Sequence, residues 1–334
     1  MMRILLLGGA GFIGTNLTYR LVEAGYELHV VDALRRVSKI ENIKPLIDNG
    51  KIRFTLLDVS ENEKFKRLVR EVRPDLVINL IAESHVDYSI NNPVETVMNN
   101  IRTILNILET CRRMDLPLIH TSTDEVYGDH YSKDRPAREE DPLRPSNPYS
   151  ASKASADLLV QAYGRTYGLD YIIIRPTNTY GPYQHPEKLI PRTIVRLLLG
   201  KPATIYGDGE QERDWLYIDD LCNAYLLIIE KGRRREIYNV APHFYEKVRN
   251  IVYMICMLLH RDPEKYVIHV APRPGEDKGY YIDNSKILAL GWRPRTSIVE
   301  GLERTVEWYV KNRWFWEKHI SEHYVTSDVV WRQY

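Results

Sequence analysis

A glycine-rich turn between an apolar run and a helical pattern restricts this chain more than any other feature. Ile4-Leu5-Leu6-Leu7 reads as a buried strand, and Gly8-Gly9-Ala10-Gly11-Phe12-Ile13-Gly14 follows it directly. Leu17, Leu21 and Val22 then recur at helical spacing up to Gly25. A strand that turns through G-x-x-G-x-x-G into a helix offers backbone amides and a helix N-terminus to a pyrophosphate. Such a turn belongs to an open parallel sheet, whose ligands bind outside the carboxyl ends of the strands.

More strands of that kind follow. Leu28-His29-Val30-Val31 ends in Asp32, an acid placed to accept hydrogen bonds from an adenosine ribose, which favours NAD over NADP. Arg35 and Arg36 come next, and an arginine here could hold a 2′-phosphate instead. Ile52 to Leu57 alternates as a strand and leads to Asp58-Val59, a candidate adenine contact. Leu76 to Ala82 is another buried run, with Glu83-Ser84-His85-Val86-Asp87 at its carboxyl end. His85 is either a catalyst or an orienting imidazole, and the second reading asks for less. A helix from about Pro93 to Met114 precedes the strand Leu116-Pro117-Leu118-Ile119, and Tyr171 to Arg175 is a sixth strand. Asp129 to Arg144, rich in charge and proline, reads as a loop over the site. Beyond about residue 240 the alternation of strand and helix becomes irregular.

The expected fold is therefore α/β: a Rossmann-type, doubly wound parallel sheet with a smaller, irregular C-terminal substrate-binding lobe. Residues 1–175, with a return segment near 210–240, would form the NAD-binding domain. Residues 176–209 and 241–334 would form the lobe. A chain of 334 residues suits roughly two domains or one elaborated one. Its net charge of +1 provides no field for nucleic acid or an anionic membrane. No run approaches the roughly 18 apolar residues of a membrane span. The N-terminal apolar run is too short for a signal peptide and reads better as a strand. Cys111, Cys222 and Cys256 are scattered and odd in number, which argues against a disulfide framework or a zinc site and fits a reducing cytosol.

Two further motifs carry chemistry. Thr121-Ser122-Thr123-Asp124-Glu125 sits where the central strand ends. Pro148 suits a first helical position, with Ser146 or Asn147 as the cap. Tyr149 and Lys153 then stand four apart and share one helix face. An ammonium beside a phenol favours phenolate, and a base poised near the working pH can remove a hydroxyl proton. Later in the chain, Arg213 and Arg273 are candidates to clamp a diphosphate bidentately.

Together these residues resemble the extended short-chain dehydrogenase/reductase superfamily. Within it they resemble the dTDP-glucose 4,6-dehydratase family most, from Ile4 to about Val310. GGAGFIG, AESHVD, STDEVYGD, YSASK, YGPYQHPEKLIP, YGDGEQERDWLYIDD and RPGEDKGYYID stand in the family's order and at its spacing. Thr-Asp-Glu is the discriminating motif, since sugar-nucleotide epimerases usually carry other residues there. Four places depart from the pattern. Thr103 replaces a glycine, Thr179 replaces the second of two asparagines, Arg35-Arg36 replaces small and aromatic residues, and Lys278-Gly279 replaces an arginine pair.

The resemblance implies a cytoplasmic homodimeric lyase of deoxysugar (rhamnose) biosynthesis that acts on a nucleotide sugar with NAD. It implies no metal, no nucleic acid and no membrane. It implies that Tyr149, aided by Lys153, takes the O4 proton while Thr123 donates to O4. Glu125 would be the base at C5, and Asp124, protonated, the acid at the C6 hydroxyl. NAD would be held by Gly8, Gly11, Phe12, Ile13, Gly14, Asp32, Ala33, Leu34, Asp58, Val59, Leu80, Ala82, Ser84, Asn99 and Thr179, with Tyr149 and Lys153. The sugar nucleotide would meet Ser84, Thr123, Asp124, Glu125, Asn178, Lys188, Leu189, Tyr206, Arg213, Asn250, Arg273, Asp277 and Tyr280. Other readings remain open: a dehydratase of UDP-, CDP- or GDP-linked sugars, a UDP-sugar 4-epimerase using the same tyrosine, or a non-catalytic NAD-binding scaffold. A scaffold has no use for an intact Tyr149, Lys153 and Thr-Asp-Glu set.

Overall fold

The computed structural model describes residues Met1–Arg332; Gln333 and Tyr334, the end of the expected lobe, lie outside the described residues. Twelve strands occur among the described residues. In chain order they are β1 (Arg3–Leu7), β2 (Glu27–Asp32), β3 (Ile52–Leu56), β4 (Leu76–Asn79), β5 (Leu118–Thr121) and β6 (Tyr171–Pro176). Then come β7 (Asn178–Tyr180), β8 (Ala203–Tyr206), β9 (Glu212–Tyr217), β10 (Glu236–Val240), β11 (Tyr245–Lys247) and β12 (Val267–Val270).

Both faces of β1 are apolar, and that decides its place. Ile4 and Leu6 enter one buried layer, Leu5 and Leu7 the other. Such a strand needs helices on both sides, which parallel crossovers supply. Seven strands form one parallel sheet in the order β10-β6-β5-β4-β1-β2-β3. Helices Phe12–Glu23 and Ile218–Lys231 cover one face through Leu17, Leu21, Leu221 and Tyr225. Helices Asn62–Val72, Pro93–Met114 and Pro148–Tyr167 cover the other through Phe65, Val69, Ile104, Ile107 and Val160. The winding reverses between β1 and β4, so a crevice opens at their carboxyl ends.

The remaining strands form two small sheets, β11-β9-β7 and β12-β8. The first apolar layer runs on into them through Trp215, Leu216, Ile251, Trp292 and Tyr309. β10 returns from this region to the edge of the large sheet, beside β6.

Some boundaries differ from expectation. β4 stops at Asn79, three residues before Ala82, because the Asn79 side-chain oxygen accepts the Ile81 amide at 3.0 Å and bends the chain away. β5 starts at Leu118, after Pro117, which has no amide to donate to a ladder. A short helix, Val86–Asn91, follows His85 where none was expected. The segment 129–144 lines neither of the two cavities described below. It packs against the sheet end instead, where the Asn239 amide donates to Glu139 at 3.0 Å and the Ala137 amide to the Tyr281 carbonyl at 2.8 Å.

Candidate active site

The central stretch is held by two local devices. At the end of β5 the Thr123 side chain accepts the Glu125 amide at 3.4 Å and opens a 3₁₀ turn, Asp124–Tyr127. Facing it, helix Pro148–Tyr167 begins with a capping box, in which Asn147 and Ser150 each bind the other's backbone amide. The Asn147 amide group also donates to Glu125 at 3.4 Å, tying the cap to the turn.

Lys153 crosses from this helix to the strand, and its ammonium donates to the Thr121 carbonyl at 2.6 Å. Burial pulls that ammonium down to about 8. The expected phenolate is not favoured in the free chain. Burial pushes the Tyr149 phenol up, and the carboxylates of Glu125, Asp124 and Glu83 push it further, against a hydrogen bond from Thr123.

The two acids beside Tyr149 sit in unequal surroundings. Asp124 is 2% exposed; it accepts from the Thr123 hydroxyl at 3.1 Å, and its second oxygen is buried without a partner. Burial, and then the Glu125 charge, hold its carboxyl well above the usual range. Burial also raises Glu125, but Lys188, Arg273 and Arg213 oppose it. Asp124 is thus the more readily protonated member of the pair, and Glu125 the more readily ionised.

Two cavities meet at this point, sharing Gln184, Glu187 and Lys188 in their walls. The first is the groove at the glycine turn. Gly8, Gly11, Phe12, Ile13, Gly14, Asp32, Ala33, Asp58, Val59, Leu80, Ala82, Ser84, Asn99, Tyr149 and Lys153, all cofactor candidates, line it. The turn leaves no room for side chains: a Cβ on Gly14 would lie 2.0 Å from the Gly8 carbonyl oxygen, and Gly8 holds φ +83°. Asp32 binds the amides of Leu34 at 2.8 Å and Ala10 at 3.0 Å, which shapes the loop beside the groove.

Two expected residues fall elsewhere. Leu34 takes a positive φ of 52°, and its side chain packs on the core instead of the groove. Thr179 lies in β7 and lines the second cavity, not the groove. Arg35 and Arg36 line the groove but are committed to carboxylates, Arg35 to Asp58 and Arg36 to Glu83 and Glu187. Neither guanidinium stands free for a 2′-phosphate.

The second cavity is lined by Glu125, Asn178, Lys188, Leu189, Tyr206, Arg213, Arg273, Asp277 and Tyr280, all substrate candidates. Thr123 and Asp124 are buried beside it without appearing in its wall. Asn250 lies outside both cavities, because its side-chain amide donates to Glu246 at 2.7 Å within helix Val248–Leu258. Among the described residues, Arg213 and Lys188 pair with no carboxylate at salt-bridge distance. Arg213 donates to the carbonyls of Glu212 and Asp277, and Lys188 to that of Ser84 at 2.6 Å. Two cations in one cavity with no carboxylate in direct ion-pair contact suit an anionic ligand. Arg273 differs, since Asp87 at 3.0 Å and Glu276 at 3.1 Å hold it.

His85 lies between Glu187, 3.6 Å away, and Asp87, 3.8 Å away. Burial lowers it to about 4, so it is a neutral imidazole. Gln184 and Glu187 had no assigned role in the sequence reading, although both stand in the YGPYQHPEKLIP block. Nothing local marks them, because both walls reach them only in the fold.

The family model described as GDP-mannose 4,6 dehydratase matches residues 5–305. A dTDP-glucose 4,6-dehydratase of Neisseria meningitidis serogroup B is 39% identical, covering 97% of this chain and 98% of its own. A solved dTDP-glucose 4,6-dehydratase of Streptomyces venezuelae, with NAD bound, superposes with a TM-score of 0.91 at 39% identity, covering 95% of this chain and 99% of its own. A UDP-glucose 4-epimerase of Thermotoga maritima superposes with a TM-score of 0.86 at 32% identity, over 93% of this chain and 100% of its own.

Proposed function

Since the chain belongs to the GDP-mannose 4,6 dehydratase family, we propose that it is an NAD-dependent nucleotide-sugar 4,6-dehydratase of the dTDP-glucose type. It converts a nucleotide-linked hexose to the 4-keto-6-deoxy sugar. One observation carries this reading: two carboxyls in unequal surroundings, Asp124 buried with one oxygen unpartnered and Glu125 tied to the Asn147 cap, stand beside the Tyr149 phenol at the end of β5. An epimerase oxidises and reduces at C4 alone and has no work for two carboxyls. A dehydratase must break C5–H and C6–O bonds, which calls for one base and one acid.

The groove residues fit NAD. The Gly14 cradle admits only bare backbone, and the Asp32 carboxylate stands in the wall with Arg35 and Arg36 already neutralised. Bound there, NAD supplies a hydride acceptor for C4, a hydride donor for C6 and, when oxidised, the positive charge that a phenolate lacks in the free chain. Tyr149 takes the O4 proton, and Thr123 donates a hydrogen bond to O4. The C4 ketone acidifies the C5 proton, which Glu125 removes. Asp124 gives its proton to the departing C6 oxygen, and the oxygen leaves as water. Glu125 exchanges that proton with solvent and returns one to C5, and the O4 proton held by Tyr149 is passed on to restore Asp124, so that protons balance over the cycle. Arg213 and Lys188 face the diphosphate, with Arg273 beside them.

The same reading divides the chain into a cofactor part, residues 1–175 with the return near 210–240, and a substrate lobe, residues 176–209 and 241–334. It makes the protein a homodimer. Support comes from Val94, Met98 and Leu158, which are 75%, 62% and 58% exposed on two helices packed side by side. Residence in the cytoplasm is supported by three free, buried cysteines. No helix among the described residues is long and apolar enough to cross a membrane.

The test incubates the purified protein with dTDP-, UDP-, CDP- and GDP-linked hexoses in D₂O and reads the products by NMR. A 4-keto-6-deoxy sugar with deuterium at C5, formed best from dTDP-glucose, is expected. A C4 epimer as sole product, or product without deuterium at C5, would overturn the assignment.

A further inference from the structure

In the large sheet β1 lies between β2 and β4. The glycine turn that ends β1 therefore lies between the loop after β2 and the loop after β4. Arg36 belongs to the first loop and Glu83 to the second. Their side chains meet across the gap as a fork, Nε to Oε2 at 3.2 Å and Nη2 to Oε1 at 2.5 Å.

The same guanidinium reaches a third segment. Nη2 lies 3.3 Å from Glu187 Oε1, and Nη1 makes a closer contact to the other oxygen of that carboxylate. Glu187 follows β7, 151 residues along the chain from Arg36. The guanidinium also stacks on the Tyr88 ring at 5.0 Å. Arg36, Glu83 and Glu187 all stand in the groove wall. The Glu187 side chain is 1% exposed, whereas those of Arg36 and Glu83 are 32% and 20% exposed. The bridge thus runs from the solvent side of the groove to a buried anchor. Leu34 and Arg36 hold φ of 52° and 36°, a backbone that side-chain-bearing residues rarely adopt and that the ion pairs help to hold.

We propose that Arg36 is a cofactor-retaining residue: with Glu83 and Glu187 it straps the dinucleotide groove closed over its glycine turn. This rests on the reading that the groove holds NAD. A bound dinucleotide leaves only when Arg36 has parted from its carboxylates. The chemistry suits such a strap, because the reaction returns the cofactor to its starting redox state at every turnover. Nothing in the cycle calls for exchange, and loss of the cofactor midway would strand the oxidised sugar.

The experiment measures cofactor release and not turnover. Holoenzyme carrying isotopically labelled NAD⁺ is diluted into excess unlabelled NAD⁺, and the retained label is followed by rapid gel filtration. Arg36→Ala should speed release by about 10- to 100-fold, since it removes both closing contacts at once and a barrier to exit acts on the off-rate. Glu83→Gln keeps the Glu187 anchor and should speed release by a smaller factor. It also keeps the test alive should Arg36→Ala fold poorly. Unchanged release from both variants would overturn the strap while leaving the dehydratase reading intact. So would an Arg36→Ala variant with weakened NADP binding and unaltered NAD release, because Arg36 would then be a 2′-phosphate contact. A wild-type chain that retains no NAD would overturn the strap together with the reading beneath it.

Discussion

Replacing Asp124 with asparagine separates folding from catalysis. The side chain is 2% exposed, with one oxygen on the Thr123 hydroxyl at 3.1 Å and the other unpartnered. Burial, and then the Glu125 charge, hold its carboxyl well above the usual range and so favour its protonated form. An amide has the same shape and is also neutral, so no cavity opens and at most one hydrogen bond changes. At mildly acid pH the unfolding free energy should move by no more than about 1 kcal/mol. The pH dependence then has a definite sign. A carboxyl whose folded pKa lies above its unfolded value holds a proton that the unfolded chain has lost. Wild-type folding is therefore penalised increasingly as pH rises from the unfolded value toward the folded one. Asparagine carries no such penalty, so Asp124→Asn should gain stability relative to wild type as pH rises above the range in which an unfolded aspartate titrates. Activity should move the other way. An amide cannot protonate the leaving C6 oxygen, and loss of a general acid lowers turnover by roughly 10²–10⁴-fold, or about 3–5 kcal/mol. Urea unfolding at several pH values gives the first quantity, and NMR of the product gives the second. A variant that loses ground to wild type as pH rises would show that Asp124 is ionised in the fold. Turnover within a few-fold of wild type would remove it from the mechanism.

Three other substitutions test separate parts of the structure. Tyr149→Phe should lower turnover by roughly 10²–10⁴-fold with little change in substrate affinity measured by calorimetry, and an unchanged turnover number would rule the phenol out as base. Gly14→Ala places a methyl 2.0 Å from the Gly8 carbonyl oxygen, so the purified variant should bind NAD more than about tenfold more weakly by titration; wild-type affinity would mean that the turn can shift. Asp157→Ala strands the Arg175 guanidinium, now 2.8 Å from the Asp157 carboxylate and 1% exposed, and should lower stability by roughly 3–5 kcal/mol in urea unfolding. A loss below about 1 kcal/mol would mean that Arg175 finds water or another partner.

Most of the large sheet and the chemical centre were legible in the residues themselves, because each rests on short-range physics. An apolar run, a glycine turn and a helical period are set by backbone sterics within a few residues, and Tyr149 and Lys153 share a face because a helix repeats every 3.6 residues. Thr123, Asp124 and Glu125 are neighbours in the chain, so their company needed no fold to establish it. Tertiary structure decided which charges meet. Lys153 hydrogen-bonds the Thr121 carbonyl, and burial with the neighbouring carboxylates raises the phenol, although helical spacing alone suggests only a lysine beside a tyrosine. Asn250 turns to Glu246 and away from the cavity, and the segment 129–144 packs on the sheet end and lines neither cavity. Arg36 had an open reading as a phosphate contact until the fold brought Glu83 and Glu187 to it, from 47 and 151 residues away. Those contacts follow from the order of strands in the sheet and the path of the chain after β7. Both arise from the burial of the whole apolar surface, so no single stretch of sequence carries them.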